Sequence, residues 1–159
     1  MRTATIALAV ALLAGCAATS TASGARGRII TEARESSSWS DEERAQNVTV
    51  RNLRRSAEAS FHLMRVRSEQ PLHVHDESDL VLVSVAGGFG LTLGDRALTL
   101  GPGDVVEIPR GTPYALKNEA TDASVAYLVF TPALQPEDFK SVSGPPKRES
   151  AWQWNLWVQ

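Results

Sequence analysis

The sequence has little of several features that would narrow its function. It contains one cysteine among 159 residues, so no disulfide can form within the chain. Its 16 basic and 18 acidic residues give a net charge of −2, with no sign of the basic face that nucleic-acid binding usually needs. It has no G-x-S-x-G nucleophile motif and no internal repeat. Composition therefore indicates one ordinary globular domain. It does not indicate a function, which has to be inferred from local motifs.

The N-terminus has the pattern of a secretory signal. Arg2 precedes a short Ala/Leu/Ile/Val segment that ends at Cys16 and is well below the roughly 20 residues that span a bilayer. The residues Leu13-Ala14-Gly15-Cys16 resemble the lipobox of bacterial lipoproteins, in which signal peptidase cuts before the cysteine and its sulfur carries a diacylglycerol. The alternatives are an ordinary secretory signal with an incidental cysteine, or a wrongly assigned start of the sequence.

The lipoprotein resemblance implies a location in the cell envelope. Residues 1–15 would be the signal peptide, Cys16 the lipidation site, and residues 16–27 a flexible tether rich in small and polar residues. The protein would be anchored to the membrane without spanning it. Ala17 is not the aspartate that acts as a retention signal in enteric bacteria, so the resemblance favours the outer membrane, facing the periplasm.

The segment 28–56 is polar and mixed, and we interpret it as an N-terminal extension. Its residues 28–32 could form a short strand, and residues 35–46 combine capping residues with charges, which suggests a loop or a brief helical turn. The tail 132–159 is loop-like until it places Trp152, Trp154 and Trp157 near its end. These indoles either dock on the domain or stack on a ligand.

Between residues 57 and 131 the sequence alternates short apolar runs with turn formers. Seven runs have strand length and frequent β-branching: 60–67, 79–87, 89–93, 97–100, 105–109, 114–118 and 124–130. Gly94-Asp95 between two of them predicts a hairpin, and no stretch has a convincing helical period. This spacing predicts an all-β domain, either an antiparallel sandwich or a barrel.

Two stretches resemble the paired motifs of the cupin superfamily, G(x)5HxH(x)3,4E(x)6G and G(x)5PxG(x)2H(x)3N. The second fits at every spacing from Gly103 through Pro109 and Gly111 to Asn118, with Tyr114 in place of the histidine. The resemblance covers about residues 57–131. It implies a single double-stranded β-helix domain, the jelly-roll barrel.

The first motif departs further from the family pattern. His73 and His75 supply its HxH, but Arg67 stands at the leading glycine position. The shorter spacing puts Asp79 at the acid position, whereas the longer spacing puts Leu80 there. Glu77 is a weaker acid candidate, because it falls in the turn at the strand end.

The resemblance implies a metal site in the barrel. Alternate residues of a strand face the same side, so His73 and His75 can present two imidazoles together. With the Asp79 carboxylate they would suit Fe, Mn, Ni, Cu or Zn. Tyr114 would ligate a ferric ion or donate a hydrogen bond to a bound molecule. The alternative is that the two histidines are only hydrogen-bonded barrel residues, and His62 is expected to be structural.

Two functional classes follow from the resemblance. The first is a membrane-anchored cupin that binds a small molecule in its barrel, with Tyr114 and Arg110 touching the ligand. The second is a metal-dependent enzyme of the oxygenase or isomerase type, for which the sequence assigns no catalytic residue. Arg110 and Lys117 flank the second motif and either meet an anionic ligand or are simply solvated. A homodimer through the N-terminal strand or the tryptophan-rich tail is a further expectation.

Overall fold

The computed structural model describes residues 30–31 and 38–143. Cys16, most of the 28–32 segment and the three C-terminal tryptophans lie outside these residues. Within the described ranges, no helix has both the length and the apolar character to cross a membrane.

The described chain is built almost entirely of short strands. A five-residue helix, α1, covers Asp41–Ala45, and a 3-10 turn covers Pro136–Asp138. The strands are β1 (Val48–Arg55), β2 (Ser60–Val66), β3 (Glu69–His75), β4 (Asp79–Ala86), β5 (Phe89–Leu93), β6 (Arg96–Leu100), β7 (Val105–Ile108), β8 (Tyr114–Asn118), β9 (Ser124–Thr131) and β10 (Phe139–Ser141). All seven predicted runs form strands, and β3 places His73 and His75 on a strand as expected, whereas β1 and β10 were not predicted.

The strands form two five-stranded antiparallel sheets. One has the order β1-β2-β9-β4-β7 and the other the order β10-β3-β8-β5-β6. The predicted hairpin at Gly94-Asp95 joins β5 to β6, with Leu93 opposite Arg96. The prediction of an all-β, single-domain double-stranded β-helix is confirmed.

The main core lies between the sheets and follows the strand period. In β4, Leu80 and Leu82 point inward and are buried, while Asp79 and Val81 point outward. The other members of this core come from both sheets and include Met64, Phe89, Leu91, Leu116, Leu128 and Phe130. Burial of this apolar surface is the main force that holds the two sheets together.

A second apolar cluster covers the outer face of the first sheet. Trp39, Leu63 and Val125 are buried there, and the Arg51 guanidinium lies 4.1 Å from the Trp39 ring centroid. Helix α1 follows directly, with a capping box between Ser40 and Glu43, so the brief helical turn is the one of the two expected forms that is present here. The segment before β1 therefore shields strand β2 from solvent on its second face.

Strand β1 contains a β-bulge. Asn52 pairs with His62 and Arg54 pairs with Phe61, which leaves Leu53 as an extra residue in the strand. Leu53 packs against the outer cluster. A bulge of this kind changes which following side chains face the inside of a barrel.

Candidate ligand-binding cavity

A cavity of about 350 Å³ lies between the two sheets, beside strands β1 and β10. Its apolar wall consists of Val50, Leu128, Phe130, Leu134, Pro136 and Phe139. Val50 and Phe139 are each 46% exposed, so the apolar surface continues to the mouth of the cavity. The volume falls at the lower end of the roughly 300–1,000 Å³ found for small-molecule sites.

His73 does not line the cavity, but its ring contacts Tyr114 and Phe139 of the cavity wall, and it is held in one tautomer. Its Nδ1 donates to the Pro71 carbonyl at 2.8 Å, and because a carbonyl only accepts, Nε2 carries a lone pair. Nε2 is buried and has no hydrogen-bond partner among the described residues. Burial lowers the pKa of His73 to about 4, so the ring is neutral at physiological pH.

His75 lines the cavity and faces a carboxylate that the sequence did not identify. Its Nδ1 lies 3.5 Å from Asp138 Oδ2, an ion-pair distance that is too long for a good hydrogen bond. Asp138 is fully buried, and its Oδ1 accepts from the Glu77 amide at 2.6 Å. Burial lowers the pKa of His75, and the Asp138 charge opposes that shift.

Tyr114 completes an aromatic cluster with the two histidines. Its ring centroid is 4.2 Å from that of His73 and 6.0 Å from that of His75, and Phe139 stacks on His73 at 4.5 Å. Burial raises the pKa of Tyr114, with a smaller contribution from the Asp138 charge. Tyr114 is therefore a neutral phenol that can donate a hydrogen bond into the cavity it lines.

The structure does not bring Asp79 together with these residues. Because it occupies an outward position in β4, its carboxylate accepts from the Arg110 backbone amide at 2.9 Å and pairs with the guanidinium at 2.7 Å. Arg110 holds the pKa of Asp79 at about 2. Arg110 itself is half-exposed and does not line the cavity. Lys117 is likewise exposed and pairs with Glu119.

These placements do not fit the two-histidine, one-carboxylate centre that the sequence suggested. The inward residue at the acid position is Leu80, a core side chain without a donor atom. Within residues 30–31 and 38–143, no three side chains of His, Cys, Asp or Glu lie close enough together to hold a metal ion. The Tyr114 phenol adds no anionic ligand, since its pKa is raised.

Two further polar side chains face the cavity from opposite sheets. His62 was expected to be structural, and its Nε2 shares a hydrogen bond of 2.8 Å with Ser60 Oγ. His62 also lines the cavity. Burial lowers its pKa, and the nearby Arg55 lowers it further. Gln70 places its Oε1 in the interior with no partner among the described residues. Both groups can therefore bond a polar edge of a ligand.

Comparison with known proteins gives the same fold. Residues 61–131 match the model of the cupin domain, Cupin_2, which supports the resemblance to the cupin superfamily. No curated protein matches the sequence. The matched region contains both motifs. It ends before Asp138 and before three residues of the apolar wall, Leu134, Pro136 and Phe139.

Solved structures with low sequence identity share this architecture. A double-stranded β-helix protein from Klebsiella pneumoniae is 16% identical, with a TM-score of 0.60 over 75% of this chain and 100% of its own. KdgF from Halomonas is 18% identical, with a TM-score of 0.53 over 57% and 83% of the two chains. A variant of PAC13 from Streptomyces, solved with uridine, is 17% identical, with a TM-score of 0.55 over 62% and 81%. At these identities the likeness concerns the fold.

Proposed function

We propose that this protein is a cupin that binds one small molecule in the cavity between its sheets. The observation that carries this proposal is the cavity of about 350 Å³, whose walls are mainly apolar and whose polar groups converge from both sheets. Ligand sites generally combine such walls with a few placed polar groups. The barrel motifs alone do not distinguish binding from catalysis, because one fold hosts many functions.

The polar groups of the cavity are suited to a neutral or anionic ligand with an apolar body. The Tyr114 phenol can donate a hydrogen bond, and the buried Gln70 Oε1 can accept one. Because Nδ1 of His75 faces Asp138, the opposite ring nitrogen, Nε2, is the one available to the cavity. A buried polar atom without a partner costs free energy, and a ligand that bonds it recovers that cost.

Filling the mouth of the cavity tests this proposal. Val50→Trp adds an indole at a half-exposed wall position, whereas Val105→Trp makes the same change at a valine that is 63% exposed on strand β7, outside the cavity. A set of one- and two-ring compounds is screened by saturation-transfer NMR against both variants and the wild type. We expect compounds that bind the wild type and Val105→Trp to lose binding to Val50→Trp. Unchanged binding to Val50→Trp would overturn the proposal.

A second candidate function is proton transfer on the bound molecule, without a metal. The observation that favours it is the fully buried Asp138 on the Nδ1 side of His75. A carboxylate in this position can orient an imidazole that acts as a general acid or base. His75 would take a proton from a carbon or oxygen of the ligand, and the Tyr114 phenol would donate a hydrogen bond to the charge that develops.

Exchange of ligand hydrogens tests the second candidate. A compound found in the binding screen is incubated in deuterium oxide with the protein, and its carbon-bound hydrogens are followed by NMR. Catalysed exchange that falls in Asp138→Asn while binding persists would support proton transfer. Exchange no faster than in buffer alone, for every bound compound, would leave binding as the function.

We also propose that the protein is anchored in the cell envelope through Cys16. The lipobox-like residues 13–16 and the short apolar segment before them support this assignment. Cys16 is the only thiol in the chain, so metabolic labelling with a fatty acid reports on one site. Cys16→Ser should abolish labelling and release the domain from the membrane fraction, and the protein should fractionate with the outer membrane. Normal labelling of that variant would refute the anchor.

A further inference from the structure

The bulge in β1 decides which of two consecutive arginines faces the cavity. Val50 and Asn52 line the cavity, and regular alternation would place Arg54 on the same side. The extra residue, Leu53, shifts the pattern, so that Arg55 pairs with Ser60, a neighbour of His62 on the inner face of β2. Arg55 accordingly lines the cavity and Arg54 does not. Bulges next to binding sites commonly redirect a side chain in this way.

The Arg55 guanidinium is held in position at the rim. One terminal nitrogen donates to the Leu134 carbonyl at 2.6 Å, and the other donates to Gln135 Oε1 at 2.8 Å. A guanidinium carries five N–H donors in a fixed plane, so the remaining donors are free to meet a ligand. Because the side chain is already oriented, binding loses less conformational entropy than it would with a mobile arginine.

The charge of Arg55 is not compensated within the cavity. No carboxylate among the described residues lies within ion-pair distance of Arg55, in contrast to Arg51 with Glu43 and Arg110 with Asp79. Asp138 lies behind His75 and is not part of the wall. His62 lies beside Arg55, and burial lowers its pKa. Its ring is therefore neutral and adds no charge to the cavity wall. The wall therefore carries one net positive group and no acid.

Resting on the binding function proposed above, we infer that the ligand is a small carboxylic acid with an apolar or aromatic body, whose carboxylate pairs with Arg55. The planar fork of a guanidinium matches the two oxygens of a carboxylate. A single guanidinium balances one unit of charge, which fits a carboxylate better than a phosphate dianion. Asn52 and Gln135 at the same rim supply neutral hydrogen-bonding groups beside the ligand head.

Paired probes separate the charge requirement from binding itself. Benzoate and benzamide, and 2-naphthoate and 2-naphthamide, keep the ring constant while the charge is removed. Their affinities for the full protein are measured by NMR titration, with Arg55→Gln as the test variant and Arg54→Gln as the matched control on the opposite face of the strand. Thermal unfolding of each variant confirms that the barrel remains folded.

We expect the acids to bind the wild type more tightly than the amides, and Arg55→Gln to weaken the acids about tenfold or more while changing the amides little. Arg54→Gln should bind like the wild type. Equal affinities for acid and amide would overturn the carboxylate inference and leave the binding function standing. If neither acids nor amides bind at millimolar concentration while other neutral compounds do, the inference is likewise wrong. Loss of all binding overturns both proposals.

Discussion

His75 Nδ1 and Asp138 Oδ2 lie 3.5 Å apart, although the first ends strand β3 and the second belongs to the short turn before β10. Strand β10 pairs with β3 and places Phe139 opposite His75, which brings the turn against the site. The other carboxylate oxygen of Asp138 accepts from the Glu77 amide at 2.6 Å, so the two contacts link the C-terminal segment to the first motif.

Removal of Asp138 should destabilise the barrel. Asp138→Ala leaves the Glu77 amide without its acceptor and empties the space beside His75, at a cost of about 1–3 kcal/mol in the free energy of unfolding. Asp138→Asn keeps an acceptor for Glu77 and should cost less. Urea denaturation gives the comparison, with Glu137→Ala as the exposed control. Equal stability of Asp138→Ala and the control would contradict the pairing.

Acidification should destabilise the protein through His73. Its pKa is about 4 in the folded state, against about 6.5 in an unfolded chain, so the unfolded chain binds more protons between these values. Stability therefore falls as the pH falls from about 6.5 to about 4, by roughly 3 kcal/mol for this residue. The lowered pKa values of His62 and His75 act in the same direction.

Urea midpoints measured at pH 7.5, 5.5 and 4 test this dependence. His73→Gln should flatten the slope in that window, because the titrating group is removed. Asp79 has a folded pKa of about 2 and an unfolded value near 3.9, so its contribution is lost only at lower pH. A slope that is the same in His73→Gln and the wild type would contradict the assignment.

Asp79→Asn should have a small effect. The side chains of Arg110 and Asp79 are 49% and 40% exposed, so the loss of their ion pair should cost no more than about 1 kcal/mol. Ligand affinity and metal content of the purified protein, measured by titration and elemental analysis, should not change. Stoichiometric metal that disappears in Asp79→Asn would show that Asp79 is a ligand after all.

Gly87→Ala should be more costly than the same change at Gly94. Both glycines have positive φ angles, 74° and 58°, so each substitution strains the backbone by about 1 kcal/mol. A Cβ at Gly87 would also lie 2.5 Å from Ser124 Oγ, whereas a Cβ at Gly94 meets nothing within 4 Å. We expect the melting temperature to fall further for Gly87→Ala. Equal losses would contradict the steric argument.

The fold was largely predictable because turn formers separate its central strands. The missed strands have patterns that do not show a buried face. Strand β1 is polar because its inner side chains, such as Asn52 and Arg55, face the cavity instead of the core. Strand β3 was expected only around His73 and His75, because Pro71 and a register shift between Gln70 and His73 obscure its beginning. Strand β10 has only three residues, all exposed.

The placement of the candidate site residues was predictable in part, for reasons that depend on individual positions. His73, His75 and Tyr114 do lie together, because the two motifs occupy paired strands with His73 opposite Tyr114. Asp79 could not be placed from spacing alone, because a shift of one residue in β4 exchanges the inner and outer faces. Asp138 and Arg55 depend on a distant strand pairing and on a bulge, and neither leaves a local sequence signal.

Asn118, the last residue of the second motif, has a structural role. Its amide nitrogen lies within hydrogen-bond distance of the carbonyls of Arg67, Ala120 and Asp122, and its Oδ1 accepts from the Ala120 amide. The second motif therefore includes a residue of the cavity wall, Tyr114, and a residue outside the cavity that holds the following turn, Asn118.

The two walls of the cavity differ in how firmly they are held. Strands β2 and β9 are covered on both faces, by the main core and by the cluster around Trp39, so their amides should be among the slowest to exchange with solvent. Strand β10 is short and exposed, yet it carries Phe139 at the cavity mouth. Local opening of β10 would therefore widen the cavity mouth while the two sheets stay packed, so a ligand larger than the mouth could enter without global unfolding.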